Sequence, residues 1–131
     1  MTGLSADILP RSYLGGMRWG HNLNATFPSA RLALTAGGVT GGPSAKFLGP
    51  LVPTHAYRWE DLARIERVRW PFVPFIADGV RFMAPDVVSS RSGFIFWSGS
   101  SWRSKRILDF CDSVSPGLVS RERQLAPLFG L

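Results

Sequence analysis

The sequence predicts a mainly β protein, a barrel or sandwich of about seven antiparallel strands capped by one C-terminal helix. Three observations carry this. Short runs such as ARLALT and GFIFWS alternate their side chains between two faces. Clusters of Gly, Pro and Ser separate those runs and supply turns. Near the C-terminus the period changes: Ile107, Phe110, Cys111 and Val114 fall at i, i+3, i+4 and i+7, one face of an amphipathic helix.

The segment 1–24 carries no sustained period and reads as an N-terminal arm, with room for one short strand around Ser12–Leu14 and a turn signal at Gly15-Gly16. From Ala30, alternation puts Leu32 and Leu34 on one face. The chain then turns at Gly37-Gly38, and VTGGP returns as a weak second arm, since glycine and proline disfavour a strand. Pro50 and Pro53 keep FLGPLVP out of a ladder, and a strand follows at about 54–59. EDLARIERVRW fits neither period cleanly: helical spacing aligns Leu62 and Ile65 with Glu66 or Arg69, a poor stripe. A turn at Trp59-Glu60-Asp61-Leu62 and a strand over 64–69, closed by Pro71, is the better reading. Strands VRFMA and GFIFWS come next. Ser100 or Ser101 caps the helix, and Pro116-Gly117 ends it. The tail LVSRERQLAPLFGL is expected to add a helical turn or two, anchored by Leu118, Val119 and Leu125. The expected organisation is an arm over 1–24, a barrel with its helix over 25–117 and a tail over 118–131.

This order of elements resembles the pleckstrin-homology-like (PH-like) superfold, and looks most like small bacterial domains of the GRAM type. The resemblance rests on ATFPSARLALTAGGVTGG, YRWEDLARIERVRW, GVRFMAP, SGFIFWS and RSKRILDFCDSV, and spans about residues 25–115. It implies seven strands where six are legible, so the seventh is expected within 11–19, 38–43 or 46–52. It also implies a binding module for phosphoinositides, peptides or proteins rather than an enzyme. PH-like domains that bind phosphoinositides place several cations in the first hairpin; here that hairpin offers Lys46 alone.

Composition bounds the rest. A length of 131 residues is one domain, and 45% apolar content with nine Phe and five Trp is globular. Cys111 is the only cysteine, which excludes an intrachain disulfide. The opening residues lack a basic then apolar leader, so a cytoplasmic location is expected, with peripheral contact at a membrane as its variant. The net charge is +6, and every basic residue except Lys46 and Lys105 is Arg. That balance favours acidic partners or simply maintains solubility.

No catalytic site is legible. His21, His55 and Cys111 lack ligand spacing, so no metal is expected, and no cofactor pattern is present. Cys111 lies on the apolar helix face, where a thiol behaves as a small hydrophobe. The pairs Gly37-Gly38 and Gly41-Gly42 serve a hairpin and do not lead into a helix as a phosphate loop would.

Binding chemistry is expected at two places. Arg58, Arg64, Arg67 and Arg69 bracket Trp59 and Trp70; on a strand, Arg67 and Arg69 share a face, the arrangement a carboxylate or phosphate clamp needs. Against this, Glu60, Asp61 and Glu66 can neutralise the cluster as cross-strand pairs. The second place is the pair of proline-spaced apolar loops at 47–53 and 70–77, the latter carrying Phe72 and Phe75. The leading expectation is recognition of another protein, or a second copy, through Arg58, Arg64, Arg67, Arg69, Trp70, Phe72 and Phe75. The alternative is an anionic lipid surface met by Phe72, Val73, Phe75 and nearby arginines. Nucleic-acid binding through the Arg/Trp strand ranks third.

Overall fold

The computed structural model describes residues 9–19, 23–69, 78–84 and 93–125, without the side chains of 121–125. Its strands are β1 (Arg11–Trp19), β2 (Leu23–Leu34), β3 (Gly38–Pro43), β4 (His55–Arg58), β5 (Arg64–Arg69), β6 (Asp78–Met83), β7 (Gly93–Trp97) and β8 (Val119–Leu125). The helix α1 covers Ser101–Val114, and one-turn 3-10 helices occupy Lys46–Leu48 and Trp59–Asp61. Hydrogen bonding orders the strands β4-β3-β2-β1-β7-β6-β5-β8. All neighbours are antiparallel except β5 and β8.

Two hairpin sets, β1 to β4 and β5 to β7, are joined where β1 meets β7. β1 pairs with β2 from Arg11 to Trp19, but with β7 only from Gly16 to Trp19. Gly15 sits at the junction, and a Cβ there would lie 2.3 Å from the Trp97 carbonyl oxygen and 2.6 Å from the Phe96 ring. Only glycine permits that approach. The Gly15-Gly16 pair, expected as a turn, is the point where one strand passes between two half-sheets.

The sheet is strongly curled. On a flat sheet β4 and β7 would lie about 19 Å apart, four strand spacings. Instead the Tyr57 and Phe94 rings stack with centroids 6.2 Å apart, and the Tyr57 hydroxyl accepts a hydrogen bond from the Gly93 N–H at 3.1 Å. The inner faces of both half-sheets therefore share one core. Leu32, Leu34 and Val39 come from one side, and Ile65, Val80, Phe82, Phe94 and Phe96 from the other. Phe82 and Phe94, opposite each other in register, stack at 5.0 Å.

α1 closes this core with Ile107, Leu108, Phe110 and Cys111, all buried. The Ser100 side chain caps it by accepting from the Arg103 N–H at 3.1 Å, and the chain leaves through Pro116 and Gly117, whose φ of 98° suits glycine. Trp59 ties the helix to the first hairpin: its indole N–H donates to the Thr35 carbonyl at 2.9 Å, and its ring lies 6.4 Å from Phe110. Thr35 itself shapes that hairpin, its hydroxyl accepting from the N–H groups of Gly37 and Gly38. Thus the Trp59-Glu60-Asp61-Leu62 turn buries Trp59 and Leu62 and exposes the two acids between them.

Three segments differ from expectation. Residues 11–19, placed in an arm but also named as one of three stretches for the seventh strand, form β1 at the middle of the sheet; its period is hidden because both faces are covered from Gly15 to Trp19. VTGGP lies in a complete strand, β3, where Gly41 makes room for Phe94 and Met17. The segment 119–125, expected as helical turns, is β8, parallel to β5 and introduced by the Ile65 N–H to Leu118 carbonyl bond at 2.9 Å. The unpaired edge of β5 offers backbone partners to this segment that its own sequence does not reveal.

Replacing Trp59 by Phe removes the bond to Thr35 and is expected to cost about 1 kcal/mol. Trp59→Ala, which also empties the space against Phe110, should cost about 3–5 kcal/mol. Urea unfolding midpoints check both.

Candidate functional site

The four arginines of the expected clamp have different fates. Arg58 is exposed and paired within its own turn, to Asp61 at 2.9 Å and Glu60 at 3.4 Å. Its hydrogen bond to Asp61, then the nearby negative charge, pushes its pKa up. Arg64 approaches Glu66 at 3.6 Å. Arg67 does share a face with Arg69, yet its side chain is only 16% exposed. It binds the Asp78 carboxylate at 2.8 Å and the Ser101 hydroxyl at 2.7 Å. Arg67 thus fastens β5 and β6 to the start of α1. Arg69 is exposed and makes no ion pair among the described residues. Trp70, Phe72 and Phe75 lie outside the described residues.

On the outer face of the second half-sheet, charge is held internally. Glu66 is buried and receives Arg81 from β6 at 2.9 Å. Arg18, in the same cross-strand row, is fully buried, and desolvation pulls its pKa down. Ile95, between Arg18 and Arg81 in this row, forms a second, small apolar cluster with Val68 and Trp97.

Other sequence candidates separate as well. Cys111 is buried, and desolvation pushes its thiol far above the ordinary range, which suppresses the reactive thiolate. His55 stands between Trp19 and Phe94, at ring distances of 6.3 and 5.9 Å. No three described His, Cys, Asp or Glu side chains gather as a metal site. In the β3–β4 loop Val52 is buried while Phe47 and Leu51 project outward.

A groove opens where β1 leaves β7. From Arg11 to Leu14, β1 has β2 on one side and, among the described residues, no strand on the other. β7 ends at Trp97, and α1 then runs beside this open edge. The Arg103 guanidinium donates to the Leu14 carbonyl at 3.1 Å and holds the two together. The resulting cleft has a volume of about 390 Å³ and is lined by Leu9, Arg11 and Tyr13 on one wall and Arg106, Asp109, Phe110 and Ser113 on the other. The spacing explains both walls: alternate residues of β1 point one way, and 106, 109, 110 and 113 share one helix face. Trp102, 65% exposed, extends the rim, with the Arg106 guanidinium 5.0 Å above its ring.

Sequence reasoning missed this site. The i, i+3, i+4, i+7 set beginning at Arg106 mixes charges with one Phe and looks like an ordinary wet helix face. Tyr13 and Arg11 belonged to the unplaced arm.

Seven antiparallel strands in two sets sharing β1, closed by a C-terminal helix, are the architecture of a PH-like fold. The chain is similar in structure to the hSac2 domain from human phosphoinositide phosphatase Sac2, itself PH-like. That similarity covers 95% of this chain and 82% of that chain, with a TM-score of 0.50 and 11% sequence identity. At that identity the likeness is one of fold. Neither a family model nor a curated protein sequence matches this chain.

Two expectations follow. Arg67→Ala leaves Asp78 partly buried without its cation and should cost about 2 kcal/mol, whereas Arg69→Ala should leave the urea midpoint unchanged. For His55, desolvation lowers the folded-state pKa, opposed in part by the Pro53 backbone. The unfolded chain protonates His55 at about 6.5, and the folded chain takes up the proton only at lower pH. Its contribution to stability is therefore complete above that pH and is lost as pH falls below it, levelling off under the folded pKa. Urea midpoints at pH 7.5 and 5.5 should differ less in His55→Asn than in the parent protein; equal differences contradict this.

Proposed function

We propose that this domain is a non-catalytic protein-binding module that receives its partner in the groove between β1 and α1. The open edge of β1 beside a lined cleft is the observation that carries the reading, because an unpaired strand edge is a template for another chain. The arginines at 58, 64 and 67 are engaged by carboxylates of the same chain, whereas Arg11 and Arg106 line the groove and Arg103 reaches its end. The reading carries with it the finer resemblance to bacterial GRAM-type domains, supported by the Trp59-Glu60-Asp61-Leu62 turn, and a cytoplasmic setting.

A second reading, peripheral contact with anionic membrane, is favoured by one observation. Phe47 and Leu51 project from the β3–β4 loop beside Lys46. An apolar pair next to a cation suits a lipid interface.

A photo-crosslinking amino acid at Ser113, on the groove wall, tests the first reading against a control at Ala56 on the far edge strand. Crosslinking in the producing cells should yield polypeptide adducts of defined mass at 113 and none at 56. Adducts at neither position, or equally at both, would end the protein-binding reading. Cosedimentation with vesicles of mixed neutral and anionic phospholipid, lost in Phe47→Ser/Leu51→Ser, would instead favour the membrane.

A further inference from the structure

We infer that the groove takes an extended acidic segment of a partner as an added strand on the open edge of β1; this rests on the protein-binding reading and names its ligand chemistry. The backbone supplies the first argument. In an antiparallel strand, the N–H and C=O of one residue point to the same side, and successive residues alternate. The Leu14 carbonyl faces α1, since it accepts from Arg103. Ser12 and Leu14 therefore present their backbone groups to the open side, while Arg11 and Tyr13 turn theirs to β2. An incoming strand finds the Ser12 N–H and C=O and the Leu14 N–H spaced as a ladder requires.

The side chains supply the second. Arg11 and Tyr13 lie two residues apart on the groove side of β1, and Arg106 and Phe110 lie four apart on the helix wall facing them. A strand laid between these walls meets guanidinium groups and aromatic rings within two successive inward positions, Arg11 and Tyr13 from β1 and Arg106 and Phe110 from α1. The matching segment has a carboxylate and an apolar side chain at i and i+2. One carboxylate, Asp109, lines the cleft against Arg11 and Arg106, with Arg103 at its end, so the balance of the walls is cationic. A second copy of this chain fits less well as the occupant. Its β1 carries Arg11 and no carboxylate, so it would bring a further cation and no acid to a cationic cleft.

The probe is a fluorescein-labelled, seven-residue peptide with glutamate, valine and glutamate at alternate positions and threonine between them, with two controls. One replaces glutamate by lysine. The other keeps the charge but N-methylates alternate amides, which abolishes ladder donors. Anisotropy titration of the full chain should give a Kd at least about tenfold tighter for the glutamate peptide than for either control. Its binding should slow hydrogen exchange at the Ser12 and Leu14 amides. The exposed substitution Arg106→Glu, and the double variant Arg11→Glu/Arg106→Glu, should each shift preference toward the lysine peptide while keeping the parent's melting profile. The proposal is overturned if the glutamate peptide fails to bind, binds no better than the methylated one, or binds without protecting those amides. Adducts at position 113 together with such a failure would leave protein binding standing and remove only strand addition; absence of adducts removes both.

Discussion

Everything in this fold depends on one close approach, the passage of Gly15 over the Trp97 carbonyl and the Phe96 ring. A side chain there would force β1 away from β7, and the two hairpin sets would lose their shared strand. With the approach in place, the sheet curls until rings from β4 and β7 touch, and one helix suffices to close the core. The same geometry makes the groove. β1 serves both half-sheets only from Gly16 onward, so among the described residues Arg11 to Leu14 have no strand on that side.

The arrangement of charge follows from burial. A guanidinium removed from water needs a carboxylate or several acceptors, or its desolvation outweighs what packing returns. Glu66 meets that need for Arg81, and Asp78 with Ser101 meets it for Arg67. These contacts stitch strands to each other and to the helix, so the cluster that stands out along the chain acts largely in architecture. Arg11 of β1 and Arg103 and Arg106 of α1 are far apart in sequence, and the fold brings them to one cleft. Arg103 and Lys105 near the positive end of the helix dipole gain nothing from that dipole.

Much of the architecture was legible because local patterns and tertiary demands agreed. Leu32 and Leu34, Phe94 and Phe96, and the Ile107 to Val114 stripe all point where their periods say. The Trp59 to Leu62 turn and the strand after it were readable from Pro71 and from the poor helical stripe. Legibility failed where both faces of a strand are covered, as at Met17 to Trp19, and where glycine fills a strand interior, as at Gly41.

By itself the sequence determined a β-rich domain with a stopper helix, since alternation and helical periodicity are properties of neighbouring residues. Tertiary structure alone decided that residues 11–19 are the central strand, that 119–125 pairs with β5, and that Arg11, Tyr13, Arg106 and Phe110 face one another. Those outcomes depend on partners from about fifty-five to about ninety-five residues apart along the chain. Edges and walls made by distant segments exist only once the sheet has curled, and no local pattern encodes them.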